Sequence, residues 1–402
     1  MEERKGNVVL DRPDGGGRGL DLPVGISLLS WAPQLGGSAR YALELIKALL
    51  GLADGGRLVV LCNGHAARRL PKGHPALAVR TLPFSAARSA FGRGLTLLRG
   101  LLPPPAAGRR FFPGAALVHY PLTVALPPFA GPTVLTLHDL QHRALPEHWS
   151  KAGLLWRRLA YDRAAERATV VVTDSEFSKR QICETLSVTP ERVVVAHLAV
   201  DHRAYAPDPS PLDEEVAARL KLPDRFLLYP AGFWPHKNHR RLIEAFARVG
   251  ERTVALLFTG TATPLLGELT ALAERLGVGE RVRYLGFVAD RDLPSLYRRA
   301  LAVVFPSLYE GFGLPPLEAM ACGTPVAASK AGSLGEVLGR AALELDPEDP
   351  AQMATALERL VGDERLRAEL AEAGRARAAR FSWQRTAERH LDAYRLAVEV
   401  EE

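Results

Sequence analysis

The chain is poor in cysteine, with three among 402 residues, Cys62, Cys183 and Cys322. They are far apart and form no CxxC pair. A disulfide scaffold and a thiolate zinc site are therefore excluded, and the three read as small buried residues in a reducing compartment. A long hydrophobic run is also missing. Residues 111–138 carry no Asp, Glu, Lys or Arg, but Pro113, Pro121, Pro127, Pro128 and Pro132 cut the stretch into pieces too short to span a bilayer. The opening MEERKGNVVL has acids at once and no apolar core of signal-peptide length, so residues 1–20 read as a flexible tail. Negative charge is absent from residues 55–138, where Arg57, Arg68, Arg69, Lys72, Arg80, Arg88, Arg93, Arg99, Arg109 and Arg110 are all basic. Such a face suits an anionic membrane surface or an anionic lipid-linked acceptor. Nucleic acid is a poor partner, because no recognised DNA- or RNA-binding motif is present.

What the chain does have is a steady alternation of short apolar runs and amphipathic segments, the pattern of parallel α/β sheets. Strands are predicted at Val24–Trp31, Leu58–Asn63, Leu77–Leu82, Ala116–Tyr120, Thr133–His138, Thr169–Asp174 and Val193–His197. Helices are predicted near 38–50, 153–167 and 176–186. The Pro-rich, charged stretch Asp201–Pro223 reads as a linker. A second series follows at Phe226–Pro230, Val254–Thr259, Val282–Gly286, Leu301–Pro306, Pro325–Ala328 and Leu343–Leu345, then a charged helical tail. With 47% hydrophobic residues, 402 residues suffice for two domains with their own cores. Two open α/β domains place a ligand cleft between the carboxyl ends of their strands.

The densest chemistry is Glu310-Gly-Phe-Gly-Leu-Pro-Pro-Leu-Glu318, directly after the apolar run Leu301–Ser307. Gly311 and Gly313 permit positive φ and close approach of backbone to a ligand. Pro315 and Pro316 suit the first turn of a helix, where a missing N–H costs nothing. A strand, a glycine turn and a helix start aim backbone N–H groups and the helix dipole at one point, which favours an anion. Carboxylates beside such a point are poor phosphate ligands, so Glu310 and Glu318 fit as acceptors for sugar hydroxyls. A diphosphate flanked by polyols is a nucleotide sugar. Lys237, in PAGFWPHKNHRRLIEAF, lies just before a helix for which Asn238 is the predicted N-cap, and it supplies a point charge for phosphate. A first-half glycine turn, Gly36-Gly37-Ser38, lacks the spacing of a dinucleotide site. His138-Asp139 follows a strand and can present an imidazole with acid–base capacity. Asp174-Ser-Glu-Phe-Ser178 opens a helix, and Ser175 is read mainly as its N-cap.

Glu-x7-Glu around Gly-Phe-Gly-Leu-Pro, together with Pro-His-Lys-Asn, resembles the signature of the retaining glycosyltransferases of family 4, which have the GT-B fold. The stretch TVLTLHDLQHRALPEHW is similar to an acceptor-side loop of the mannosyltransferase-like branch. Ala331-Gly-Ser-Leu-Gly-Glu336 and Phe381-Ser-Trp-Gln…Tyr394 are similar to later segments, and the resemblance spans residues 24–396. It implies two Rossmann-like α/β domains facing across a cleft. The acceptor-side domain would be 21–203, the linker 204–222, the donor domain 223–380, and 381–402 a helix crossing back to the first domain. It implies catalytic roles for Glu310, Lys237 and His138. Donor binding would fall to Gly36, Gly37, Lys237, Gly311, Phe312, Gly313, Leu314 and Glu318. Many members carry an Arg several residues before the lysine, where this chain has Ala231-Gly-Phe-Trp234, so one phosphate contact is missing or supplied from elsewhere, as by a backbone N–H.

The reaction expected on that basis is transfer of a hexose with retention, mannose from GDP-mannose being the first choice. The acceptor is a glycan, polysaccharide or lipid-linked molecule. No cofactor and no metal are expected, since no acidic metal pair stands out. The expected setting is the cytoplasm, with peripheral contact to an anionic inner membrane face. A UDP-sugar-dependent enzyme of the same fold is the alternative. A non-catalytic nucleotide-sugar-binding protein, a pyridoxal-phosphate phosphorylase and, last, a nicotinamide oxidoreductase remain as other classes.

Overall fold

The computed structural model describes residues 19–53, 56–83 and 106–400. Arg88, Arg93 and Arg99 of the acid-free stretch, and most of the expected N-terminal tail, lie outside the described residues. Two wholly parallel sheets account for the strands. The first holds β1 (Val24–Leu28), β2 (Leu58–Asn63), β3 (Leu77–Leu82), β4 (Leu117–Tyr120), β5 (Thr133–Thr136), β6 (Val170–Thr173) and β7 (Val193–Val195). Its order is β3-β2-β1-β4-β5-β6-β7. The second holds β8 (Phe226–Pro230), β9 (Ala255–Thr259), β10 (Val282–Tyr284), β11 (Ala302–Phe305), β12 (Val326–Ala328) and β13 (Leu343–Glu344), in the order β10-β9-β8-β11-β12-β13. The central strands are buried on both faces, which is why they read as unbroken Val/Leu runs rather than alternating ones.

Each sheet reverses its winding at one place, between β1 and β4 and between β8 and β11. At such a switch point the loops leaving two neighbouring strands diverge to opposite faces and leave a crevice at their carboxyl ends. The helices that matter here are α1 (Gly37–Gly51), α2 (Glu176–Thr185), α3 (Leu212–Leu220), α4 (His239–Phe246), α5 (Leu314–Ala321), α6 (Leu334–Leu338) and α7 (Trp383–Glu399). No helix among the described residues is long and apolar enough to cross a membrane.

Helix α7 packs on the first sheet through a buried polar network. Tyr394 Oη lies 2.9 Å from His119 Nδ1, and His119 Nε2 lies 2.8 Å from Thr136 Oγ1. Tyr41 Oη joins Thr136 Oγ1 at 2.9 Å and His390 Nε2 at 2.7 Å. Every member is buried, so each hydrogen bond replaces one that water would otherwise make.

Three local expectations are corrected. The stretch taken as a linker contains α3, which is anchored rather than loose. Its Asp213 accepts from Ser295 Oγ at 2.7 Å and from two nitrogens of Arg298 at 2.5 and 2.9 Å. Burial opposes the charge, but these donors hold the Asp213 carboxyl down to about 2. The helix expected over 153–167 is interrupted by a π turn at Arg158–Asp162. That turn brings buried Asp162 within 2.8 Å of His142 Nε2 and 2.6 Å of Arg143, fastening the loop that carries His138. Asn238 does not cap α4: it adopts φ 62°, and its Nδ2 donates to the carbonyls of Pro306 and Pro347. It fastens the Lys237 loop to the loops after β11 and β13.

Candidate active site between the two sheets

Lys237 and Glu310 come from the loops after β8 and β11, the two strands that flank the second sheet's switch point. Lys237 Nζ donates to Glu310 Oε1 at 2.6 Å, with both side chains largely buried. The ammonium also lies 5.5 Å from the centre of the Phe305 ring. The Glu310 carbonyl accepts from Ser333 N at 3.0 Å and Ser333 Oγ at 3.1 Å, so the 331–336 turn supports the glycine loop from behind.

The two loop glycines serve different ends. Gly313 has φ +92°, a conformation that other residues avoid, and it opens α5 with Pro315 and Pro316 in the first turn. Gly311 is not in that region. A Cβ there would meet Asp139 Oδ2 at 2.7 Å, so this glycine lets the opposite domain come close. The Gly311 carbonyl accepts from Ser175 Oγ at 3.0 Å. Phe312 is buried with its ring near His197 and Phe381. Its side chain thus serves packing, which leaves only its backbone for a ligand. Leu314 begins the helix beside them and packs partly into the core.

Glu318 lies in the second turn of α5 and is only 3% exposed. Its Oε2 accepts from Tyr297 Oη at 3.1 Å, and its Oε1 meets the guanidinium of Arg40 from α1 of the first domain. Arg40 in turn donates to Tyr205 Oη at 3.0 Å. Gly36 and Gly37 are exposed, with nothing near the place of a Cβ, and Gly36 has φ +55°. The glycine turn is therefore open space three residues ahead of the arginine that reaches Glu318.

Across the cleft, His138 follows β5 and Asp174 follows β6. His138 Nδ1 lies 2.8 Å from Asp174 Oδ2, so the partner of the imidazole is Asp174 and not its neighbour Asp139. Burial works against the imidazolium, but Asp174, Asp139 and the Pro121 carbonyl outweigh it and raise His138 above its ordinary value. Burial, with Asp174 and Glu310 adding, raises Asp139. A further tie comes from Glu336. It accepts from the N–H groups of Glu176 and Phe177, at 2.9 and 3.0 Å, at the start of α2, and from His197 Nε2 at 2.8 Å.

The structure therefore gathers Glu310, Lys237, Gly311 and Gly313, with Asp139, the neighbour of His138, brought against Gly311 from the other domain; Glu318 meets Arg40 of α1, and Gly36 and Gly37 stay exposed. Sequence reasoning missed Arg40, Asp174 and Glu336, and gave Ser175 only a capping role. Asp174 at a strand end before a helix was visible as a motif, while Arg40 carried no signal beyond its place after the glycine turn. Among the described residues no group of three or more His, Cys, Asp or Glu is placed to hold a metal. A cavity of about 490 Å3 lies away from these loops, among Arg225, Glu251, Glu358 and Arg367. Its arginines already donate to nearby carbonyls.

Two parallel-sheet α/β domains that face one another with a charged site between their strand ends define a GT-B glycosyltransferase. Sequence profiles agree. "Glycosyltransferase Family 4" matches residues 35–204 and "Glycosyl transferases group 1" matches residues 213–377. The O-antigen chain mannosyltransferase B of Escherichia coli is 32% identical over 270 residues, 65% of this chain and 70% of that protein. A serotype-specific mannosyltransferase of Escherichia coli, WbdA, is 32% identical over 235 residues, 57% of this chain but only 29% of its own length. Among solved structures, Anabaena HepE in complex with UDP and glucose superimposes with a TM-score of 0.72. It is 22% identical and the match covers 93% of this chain and 99% of that one, a likeness of fold. The chain belongs to glycosyltransferase family 4.

Proposed function

We propose that this glycosyltransferase moves a hexose, mannose from GDP-mannose in the first instance, to a glycan or lipid-linked acceptor with retention of configuration and without a metal. The observation that carries the reading is the Lys237–Glu310 pair beside the Gly311–Leu314 turn, against which Asp139 of the first domain packs. The mannosyl assignment rests on the mannosyltransferase relatives.

In this reading Glu318 accepts from the ribose hydroxyls after exchanging Arg40 for them, and Glu310 accepts from hydroxyls of the transferred sugar. Lys237 and the N–H groups of Gly311–Leu314 neutralise the departing diphosphate, with charge placed where it develops. The anomeric carbon loses its bond to the phosphate oxygen and gains one to the acceptor oxygen on the same face. The acceptor's proton passes to the leaving phosphate. The fixed cation and helix dipole take the place of a divalent ion. Arg57, Arg68, Arg69, Lys72, Arg80, Arg109 and Arg110 are all exposed on the first domain, a surface suited to an anionic acceptor or the membrane that carries it.

Thermal-shift and turnover measurements with GDP-mannose, UDP-glucose and UDP-GlcNAc test the reading. GDP-mannose should raise the melting temperature and be consumed in the presence of EDTA. Stabilisation by UDP-sugars alone would move the assignment to the UDP-dependent alternative. Activity lost to EDTA and restored by magnesium would refute the metal-free mechanism.

A further inference from the structure

Glu318, the carboxylate read as the ribose acceptor, is claimed by both domains. It is only 3% exposed. Its Oε2 accepts from Tyr297 Oη at 3.1 Å within the second domain, and its Oε1 pairs with the Arg40 guanidinium of the first. Arg40 has a further partner in Tyr205. One guanidinium nitrogen donates to Tyr205 Oη at 3.0 Å, and the guanidinium carbon lies 5.4 Å from the centre of that ring. The residues on either side of Arg40 are locked to the first domain. The Ala39 carbonyl accepts from Trp31 Nε1 at 2.9 Å, and Tyr41 Oη is held by Thr136 and His390. The backbone at Arg40 is therefore fixed, and the side chain is the part that can yield. Gly36 and Gly37, just ahead of it, leave open space.

A carboxylate buried to this degree is costly unless it is compensated. Arg40 and a ribose hydroxyl are alternative ways of compensating the same oxygen, and they exclude one another. A guanidinium makes charge-assisted hydrogen bonds, stronger than those of a hydroxyl, so a ribose by itself does not win the exchange. The rest of the nucleotide has to supply the difference. We propose that Arg40 is an internal competitor of the nucleotide: it holds Glu318 in the free enzyme, yields it to the ribose when the donor binds, and reclaims it as the nucleoside diphosphate leaves. This rests on the nucleotide-sugar reading of the site, in which Glu318 takes the ribose. Tyr205 keeps one arm of the guanidinium paired throughout, so the exchange strands no buried donor. Tethered beside its target, Arg40 acts at a high effective concentration. Apparent nucleotide affinity is then lowered by the fraction of enzyme in which the pair is open. The gain is in turnover, because a nucleotide product held too tightly would keep the site closed to the next donor.

Titration calorimetry with GDP and UDP on wild type, Arg40→Ala, Glu318→Gln and the double variant tests the assignment. The preferred nucleotide should bind Arg40→Ala about tenfold tighter, as when a closed state populated to roughly 90% is removed. Its release in stopped flow should slow, and product inhibition of donor turnover should strengthen in step. Arg40→Gln, which drops the charge but keeps a long stem, should act in the same direction and stands in if Arg40→Ala fails to fold. In the Glu318→Gln background the Arg40→Ala change should move affinity by less than about twofold, because the competitor has lost its target. Melting temperature gives a readout that a merely structural role would not: Arg40→Ala should melt lower than wild type without nucleotide and level with it at saturation. Unchanged or weaker nucleotide binding in Arg40→Ala overturns the proposal, weaker binding making Arg40 a donor contact instead. Tightening of equal size in the Glu318→Gln background overturns it too. If neither GDP nor UDP binds the wild type or any variant, the nucleotide-sugar reading fails and the proposal falls with it. Nucleotide binding that is indifferent to Arg40 sinks the proposal alone.

Discussion

Glu310 and Lys237 neutralise one another in a largely buried pair at 2.6 Å, and each needs the other in place. Lys237→Ala leaves a carboxylate with little water and no cation, while also removing the charge offered to the leaving diphosphate. Turnover of the donor should fall by about 10²-fold or more, as for loss of one preorganised transition-state donor. Steady-state kinetics with the preferred nucleotide sugar check this, and kcat within threefold of wild type would remove Lys237 from the mechanism. Local features were legible where residue type itself fixes the geometry. The left-handed turn at Gly313 and the helix start at Pro315 are of that kind. Gly311 was legible as a glycine but not for its reason, because the atom that excludes a Cβ there belongs to Asp139, more than a hundred residues away in the chain. Likewise Asn238 has the side chain of a helix cap, but carbonyls from two distant loops compete for it and win.

At the scale of elements, α7 is held to the first sheet by side chains that hydrogen-bond in a closed set. Tyr394→Phe deletes the partner of His119 Nδ1 and leaves that nitrogen buried and unpaired. We expect a loss of about 1–3 kcal/mol, read as a lower denaturant midpoint with an unchanged slope. An unchanged midpoint would show that the network contributes nothing net. Strand positions were readable from Val/Leu runs bounded by turn residues, and β2, β3 and β8 end where the pattern ends. The π turn at Arg158–Asp162 was not readable, since local propensity there favours a continuous helix. The pull on Asp162 comes from His142 and Arg143, across a tertiary contact.

For the molecule as a whole, buried histidines set the response to acid. Burial pushes His390 down to about 4 and His236 and His239 down to about 3, and His119 is also held well below 6.5. Above 6.5 these groups are neutral in both the folded and unfolded chain. As pH falls below 6.5 the unfolded chain takes up protons that the folded one refuses, so stability drops, by about 2 kcal/mol per histidine between pH 6.5 and 5. His138, raised rather than lowered, works in the other direction, giving stability at low pH that is lost as pH rises through its folded value. Four groups against two, since the raised Asp139 carboxyl acts in the same direction as His138, predict a melting temperature that falls from pH 7 to pH 5. Scanning calorimetry across that range checks it, and a flat or rising profile would mean that water reaches these rings.

The sequence by itself determined the class of fold and the family. Strand periodicity, glycine turns and the placement of Glu310, Glu318 and Lys237 are local properties, set by backbone sterics and by charge at a helix start. Tertiary structure alone decided which groups meet. Arg40 pairs with Glu318, Asp174 takes His138, and Glu336 closes on the start of α2, each joining residues more than thirty positions apart. Such pairings follow from the order of strands in two sheets and the approach of one sheet's carboxyl edge to the other's. Nothing in local sequence encodes that approach, because a buried charge is tolerable only once its distant partner has arrived.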